Sequence, residues 1–170
     1  MVASAGLVVP LERLGSGKSG PHPAGDSAQF PELDLKLSSL LGNPLLGSAL
    51  CTSEPLSWHV GKLRSLDGGP DAWPELRDPR PLDKKVPISQ VLRGIRNALA
   101  HGNLYIRGKS AIEALIFVSE DRDQHDQLLG FKFVIASPNA FHALLQRWFA
   151  FLEENDVPQN AVALALERAA

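Results

Sequence analysis

What this chain lacks narrows its class before any motif is considered. It has one cysteine, Cys51, so no internal disulfide can form and nothing points to an oxidising compartment. No apolar run approaches the roughly 18 residues that read as a membrane span. The opening stretch, MVASAGLVVPLERLG, has no basic segment ahead of its apolar residues, and Pro10 interrupts them. It does not read as a signal peptide. The net charge is only −2 over 170 residues, which argues against a protein that coats nucleic acid by bulk charge. The expected setting is a reducing cytoplasm, with no membrane partner.

One further absence is local. Between Asp83 and Glu113 there is no acidic residue, while the same span holds Lys84, Lys85, Arg93, Arg96, Arg107 and Lys109. Six cations in a chain of total charge −2 form a basic island, suited to hold phosphates without reading bases. The missing carboxylates also argue against a Mg²⁺ cluster there, and so against two-metal hydrolysis.

Residues 1–29 are rich in Gly, Ser, Ala and Pro and read as a flexible segment. One domain is expected over 30–155, followed by a tail or short helix over 156–170. Leu33, Leu37, Leu40 and Leu41 fall on helical spacing, and Gly42-Asn43-Pro44 is a stop signal. Trp58, Val60, Leu63 and Leu66 mark a further helix, ended at Asp67-Gly68-Gly69-Pro70. Residues 67–87 carry five prolines and predict an ordered but irregular loop, with Trp73 pinned to the core. Pro87 suits a first helical turn. Ile88, Val91, Leu92, Ile95 and Leu99 then form one apolar stripe, and Gly102 stands where a C-cap glycine belongs. Segments 111–119 and 128–136 predict a β-hairpin within 111–136, its strands joined by a long acidic connection. Ser137-Pro138 makes an N-cap and N1 pair for a helix through Phe141, Leu144, Leu145, Trp148, Phe149 and Leu152. The expected fold is mainly α, a helical bundle with the hairpin inserted between the motif helix and the last long helix.

The chemistry sits in IRNALAHGN, residues 95–103. At about 100° per residue, Arg93, Asn97 and His101 share one polar strip, with Arg96 at the rim of the apolar stripe. RNA offers a route to cleavage that needs no metal, because its own 2′-OH can attack the adjacent phosphate. Histidine takes and gives protons near neutrality, so His101 can remove that proton. Arg96 can stabilise the phosphorane as a bidentate donor. The leaving 5′-oxygen also needs a proton, and one motif has one histidine. A symmetric dimer, with two motif helices facing across the two-fold, would complete the pair.

Arg96-Asn97-Ala98-Leu99-Ala100-His101-Gly102 resembles the R-x4–6-H signature of the HEPN superfamily, in which a polar residue commonly follows the arginine. The resemblance implies a HEPN-like helical bundle acting as a metal-independent endoribonuclease. The product would carry a 2′,3′-cyclic phosphate, and the setting would be toxin–antitoxin or phage defence. Arg96 and His101 would be catalytic and Asn97 supporting, with no cofactor. Arg93, Asn103, Arg107, Lys109, Lys84 and Lys85 are the expected RNA contacts. The implied partners are RNA, a second copy forming a composite site, and an antitoxin protein. The alternative is a non-catalytic HEPN-like module that binds RNA, a nucleotide or another protein. Some members carry a modified tyrosine soon after the histidine; Tyr105 lies later than that position.

Other signals have plainer readings. Gly15-Ser16-Gly17-Lys18-Ser19 echoes the end of a phosphate-binding loop, but Glu12 stands where the pattern requires glycine. His125 with Asp121, Asp123 and Asp126 reads as a solvated loop rather than a metal site. Trp148 and Phe149 read as core residues or part of a dimer face, and Cys51 as a buried thiol.

Overall fold

The computed structural model describes residues 31–51 and 57–155. The expected flexible segment 1–29, with its glycine-rich Gly15–Ser19 stretch, and the expected tail 156–170 lie outside the described residues. In chain order the elements are α1 (Pro31–Gly42), β1 (Trp58–Leu63), β2 (Arg80–Pro81), α2 (Ile88–Ala100), β3 (Leu104–Arg107), β4 (Ala114–Arg122), β5 (Leu128–Ala136) and α3 (Pro138–Glu154). All strands join one antiparallel sheet in the order β2-β1-β5-β4-β3.

The sheet is buried on both faces at its centre. Ile116, Phe117, Val118, Phe133, Val134, Ile135 and Ala136 are all buried. A strand covered on both sides reads as a continuous apolar run rather than an alternating one. On one face Trp58, Phe117, Val134 and Ala136 join a core with Leu37 of α1, Val91, Leu92 and Ile95 of α2, and Phe141, Leu144 and Trp148 of α3. The opposite face presents Leu63, Ile116, Val118, Phe133 and Ile135 to Trp73 and Leu76. Those two residues come from the proline-rich segment, which forms two 3₁₀ turns, Pro70–Ala72 and Pro74–Leu76. Trp73 Nε1–H donates to the Asp67 carbonyl at 3.1 Å, and the Trp73 ring meets Tyr105 edge-on, centroids 5.0 Å apart. The expected pinning of Trp73 is therefore present, and the segment is the second cover of the sheet.

The expected mainly-α, HEPN-like helical bundle is overturned. Among the described residues the protein has three helices and a five-stranded antiparallel sheet, and α2 packs chiefly on β4. The physical cause lies in three short stretches. Residues 58–63 form β1, not a helix. Trp58 and Val60 turn to the helical side and Leu63 to the other, a spacing that a short run satisfies under either period. β3 is four residues directly after a helix end, and β2 is two residues among prolines. The connection between β4 and β5 is also shorter than expected. Glu120, Asp121 and Arg122 belong to β4, leaving residues 123–127 and a left-handed Asp126 at φ 63°.

The expected helices α1, α2 and α3 are present. Ser137 caps α3, its hydroxyl accepting from Ala140 N–H at 3.2 Å, and Cys51 is buried. Trp148 is fully buried, whereas Phe149 is partly exposed.

At the end of the sheet Asp121, with its side chain only 7% exposed, lies 2.7 Å from Lys62 Nζ and 2.5 Å from Lys132 Nζ. The hydrogen bonds from Lys132 and then Lys62 hold its carboxyl below the ordinary range. A carboxyl lowered on folding stabilises above its unfolded pKa, and that contribution is lost as pH falls through the folded value. Lys132→Met should therefore raise the pH of acid unfolding followed by circular dichroism, and Asp121→Asn should make the same transition less pH-dependent. Leu92, wholly buried, should cost about 2–5 kcal/mol in urea denaturation when replaced by alanine.

Candidate active site

Helix α2 buries Ile88, Val91, Leu92, Ile95 and Ala98. That orientation leaves Arg93 and His101 exposed, with Arg96 and Asn97 half-buried. The helix ends in a left-handed turn. Gly102 has φ 69°; its N–H bonds Leu99 O at 3.3 Å, and Asn103 N–H bonds Ala98 O at 2.8 Å. This double closure is the Schellman cap expected of glycine at that position. The Asn103 carbonyl then accepts from Val118 N–H at 3.0 Å. One residue thus closes the helix and begins the β3–β4 ladder, and His101 is held at the junction.

The ladder also brings a carboxylate to the histidine. Leu104 pairs with Phe117, so β4 runs past the helix end towards Glu120. The Glu120 carboxyl is held below its ordinary range, first by the hydrogen bond from Arg122 Nε at 2.7 Å and then by nearby charge, His101 included. The acid-free interval 84–112 is a gap in sequence and not in space. Recognising this requires knowing that β4 continues through residues 120–122.

Arg93, Arg96, Asn97, His101 and Asn103 stay together along the last turns of α2 and its cap. The other expected RNA contacts do not join them. Lys84 and Lys85 occupy the turn before α2, a helix length of about 20 Å from His101. Arg107 ends β3, about 13 Å along the strand from Asn103. Its Nη1 donates to the Leu76 carbonyl at 3.0 Å. It also lies near His59, whose imidazole is kept below its ordinary pKa by burial first and by the Arg107 charge second. Lys109 is exposed in the bend after β3.

The carboxylates near His125 are engaged by the protein itself. Asp123 Oδ1 accepts from the His125 and Gln127 N–H groups, Asp126 lies 3.6 Å from Arg122, and Asp121 is held by its lysines. Among the described residues no group of three or more His, Cys, Asp or Glu side chains is placed to hold a metal.

The R-x4-H pair at the capped end of α2 agrees with a wider match. A family model described as HEPN pEK499 p136 matches residues 1–159. The chain belongs to the HEPN pEK499 p136 family. No curated protein and no solved structure matches it. Membership supports a nuclease- or toxin-like role. In this HEPN protein the motif helix rests on a sheet. No helix among its described residues is long and apolar enough to cross a membrane.

No atom lies within 4 Å of a Cβ added at Gly102, so any penalty there is one of backbone conformation. Gly102→Ala should cost about 1–2 kcal/mol in urea denaturation, and Gly102→Asn should cost less.

Proposed function

We propose that this HEPN protein is a metal-independent endoribonuclease acting in toxin–antitoxin or phage defence. The observation that supports it best is the placing of Arg96, Asn97 and His101 at a helix end locked into the sheet by Gly102 and Asn103. A group held this way meets substrate with little reorganisation. His101 takes the proton of the ribose 2′-OH as that oxygen bonds phosphorus. Arg96 donates to the non-bridging oxygens of the phosphorane, and Asn97 supports it. The bond from phosphorus to the 5′-oxygen then breaks, leaving a 2′,3′-cyclic phosphate. The departing oxygen needs a second proton donor, which a second copy of the chain supplies. Arg93 and Asn103 guide the RNA strand. In this setting the partners are RNA, a second copy and an antitoxin protein, and the compartment is the cytoplasm.

The test is cleavage of a mixed RNA pool in excess EDTA, with end-group analysis of the products. Cleavage that leaves cyclic phosphate ends, and that falls by about 10²–10⁴ in both Arg96→Ala and His101→Ala, is the expected result. RNA binding without cleavage by the unaltered protein would instead assign a binding module.

A further inference from the structure

We propose that the RNA strand reaching His101 lies on an open shelf of the sheet beside α2, where Lys62 and Lys132, held by the buried Asp121, take its flanking phosphates. The shelf follows from where α2 crosses the sheet. Val60, Val134 and Phe117 stand side by side on β1, β5 and β4. A Cβ added at Gly94 would lie 3.4 Å from Val134 Cγ2, so α2 passes closely over this row. The apolar stripe of α2 meets α1 and α3 in the core that also holds Trp58 and Ala136, on one side of the crossing. The polar strip of α2 therefore turns to the other side. Side chains two residues apart on a strand share a face. The next row on that face is Lys62, Lys132 and Ser119, about 7 Å along the strands. This row lies open, with the Lys62 and Lys132 side chains 72% and 53% exposed.

The shelf adjoins the motif through the sheet itself. Val118 N–H bonds Asn103 O at the cap of α2, and Ser119 is the next residue of β4. From Ser119 the row runs to Lys132 and then to Lys62, one strand spacing of about 5 Å at each step. Asp121 is what lets two cations stand side by side. It lies two residues past Ser119 on the same face, and each of its oxygens meets one ammonium. An ammonium has three N–H donors, so each lysine keeps donors for a phosphate after serving Asp121. Two cations and one carboxylate leave the trio with a net charge of +1. Asn97, half-buried, and Arg93, exposed, stand on the facing flank of α2. Residues distant in sequence thus supply beside His101 the cations that Lys84, Lys85 and Lys109 do not. Such contacts hold a strand without reading its bases. The shelf rests on the nuclease reading in one respect, that RNA is the strand reaching His101.

The test reads binding apart from cleavage. The probe is a fluorescein-labelled, single-stranded 2′-O-methyl oligoribonucleotide, which keeps the phosphates but has no 2′-OH to attack. Its Kd is measured by fluorescence anisotropy across a salt series. Lys62→Gln and Lys132→Gln should each lower the slope of log Kd against log salt by about 0.7, the share of one phosphate contact on a single strand. Each of these variants leaves Asp121 one lysine partner, and circular dichroism checks that each is folded. Lys84→Gln combined with Lys85→Gln removes more charge, but a helix length away, and should leave the slope unchanged. A slope unmoved in both shelf variants overturns the shelf, as does an unaltered protein that does not bind the probe. RNA cleavage by that same unaltered protein would leave the nuclease reading standing. Binding that depends on Lys62 and Lys132, in a protein that cuts no RNA, does the reverse.

Discussion

At the centre of the β4–β5 hairpin both faces are closed to water, and the placing of the other elements answers to that requirement. Three helices cover one face. The other is covered by a segment with little regular structure of its own, anchored through Trp73 and Leu76. A single apolar layer would leave one side of a strand such as Ile116–Phe117–Val118 in water. At about 25 cal/mol per Å² of apolar surface, the thin cover contributes as a true layer of the core. The alternation of β4 has a second effect at its end. Neighbouring acids separate, Asp121 going to the lysine pair and Glu120 to the vicinity of the motif.

The parts of this fold that were legible in the sequence are those with local signals. Helices α2 and α3 carry full apolar stripes and recognisable ends at Pro87, Gly102 and Ser137, and each of those residues acts at its helix end. Strands β1, β2 and β3 carry no such signal. Trp58–Leu63 is too short for its period to decide, and its partner β5 lies more than 60 residues on, so pairing rather than pattern makes it a strand. β3 is hidden because the cap of α2 runs directly into it.

The candidate site divides along the same line. Arg96, Asn97 and His101 were readable because one helix places them. Glu120 was not, since only the β3–β4 pairing brings it near. The six cations of the basic island do not form one patch, for the complementary reason. Cations close in sequence are spread by a rigid helix and an extended strand, so Lys84 and Lys109 end far from His101. The Arg122 guanidinium already engages Glu120, which weakens the field that this carboxylate presents to the imidazole.

Pro81 has a consequence for the limits of assembly. A sheet with two receptive margins can grow without end, each newcomer offering a fresh margin to the next, and that is the route to fibres. Here Leu82 N–H bonds Trp58 O, so among the described residues β2 turns Pro81 outward on one margin, where it has no N–H to offer. Pro81 thus acts as a stop on edge-to-edge growth along β2.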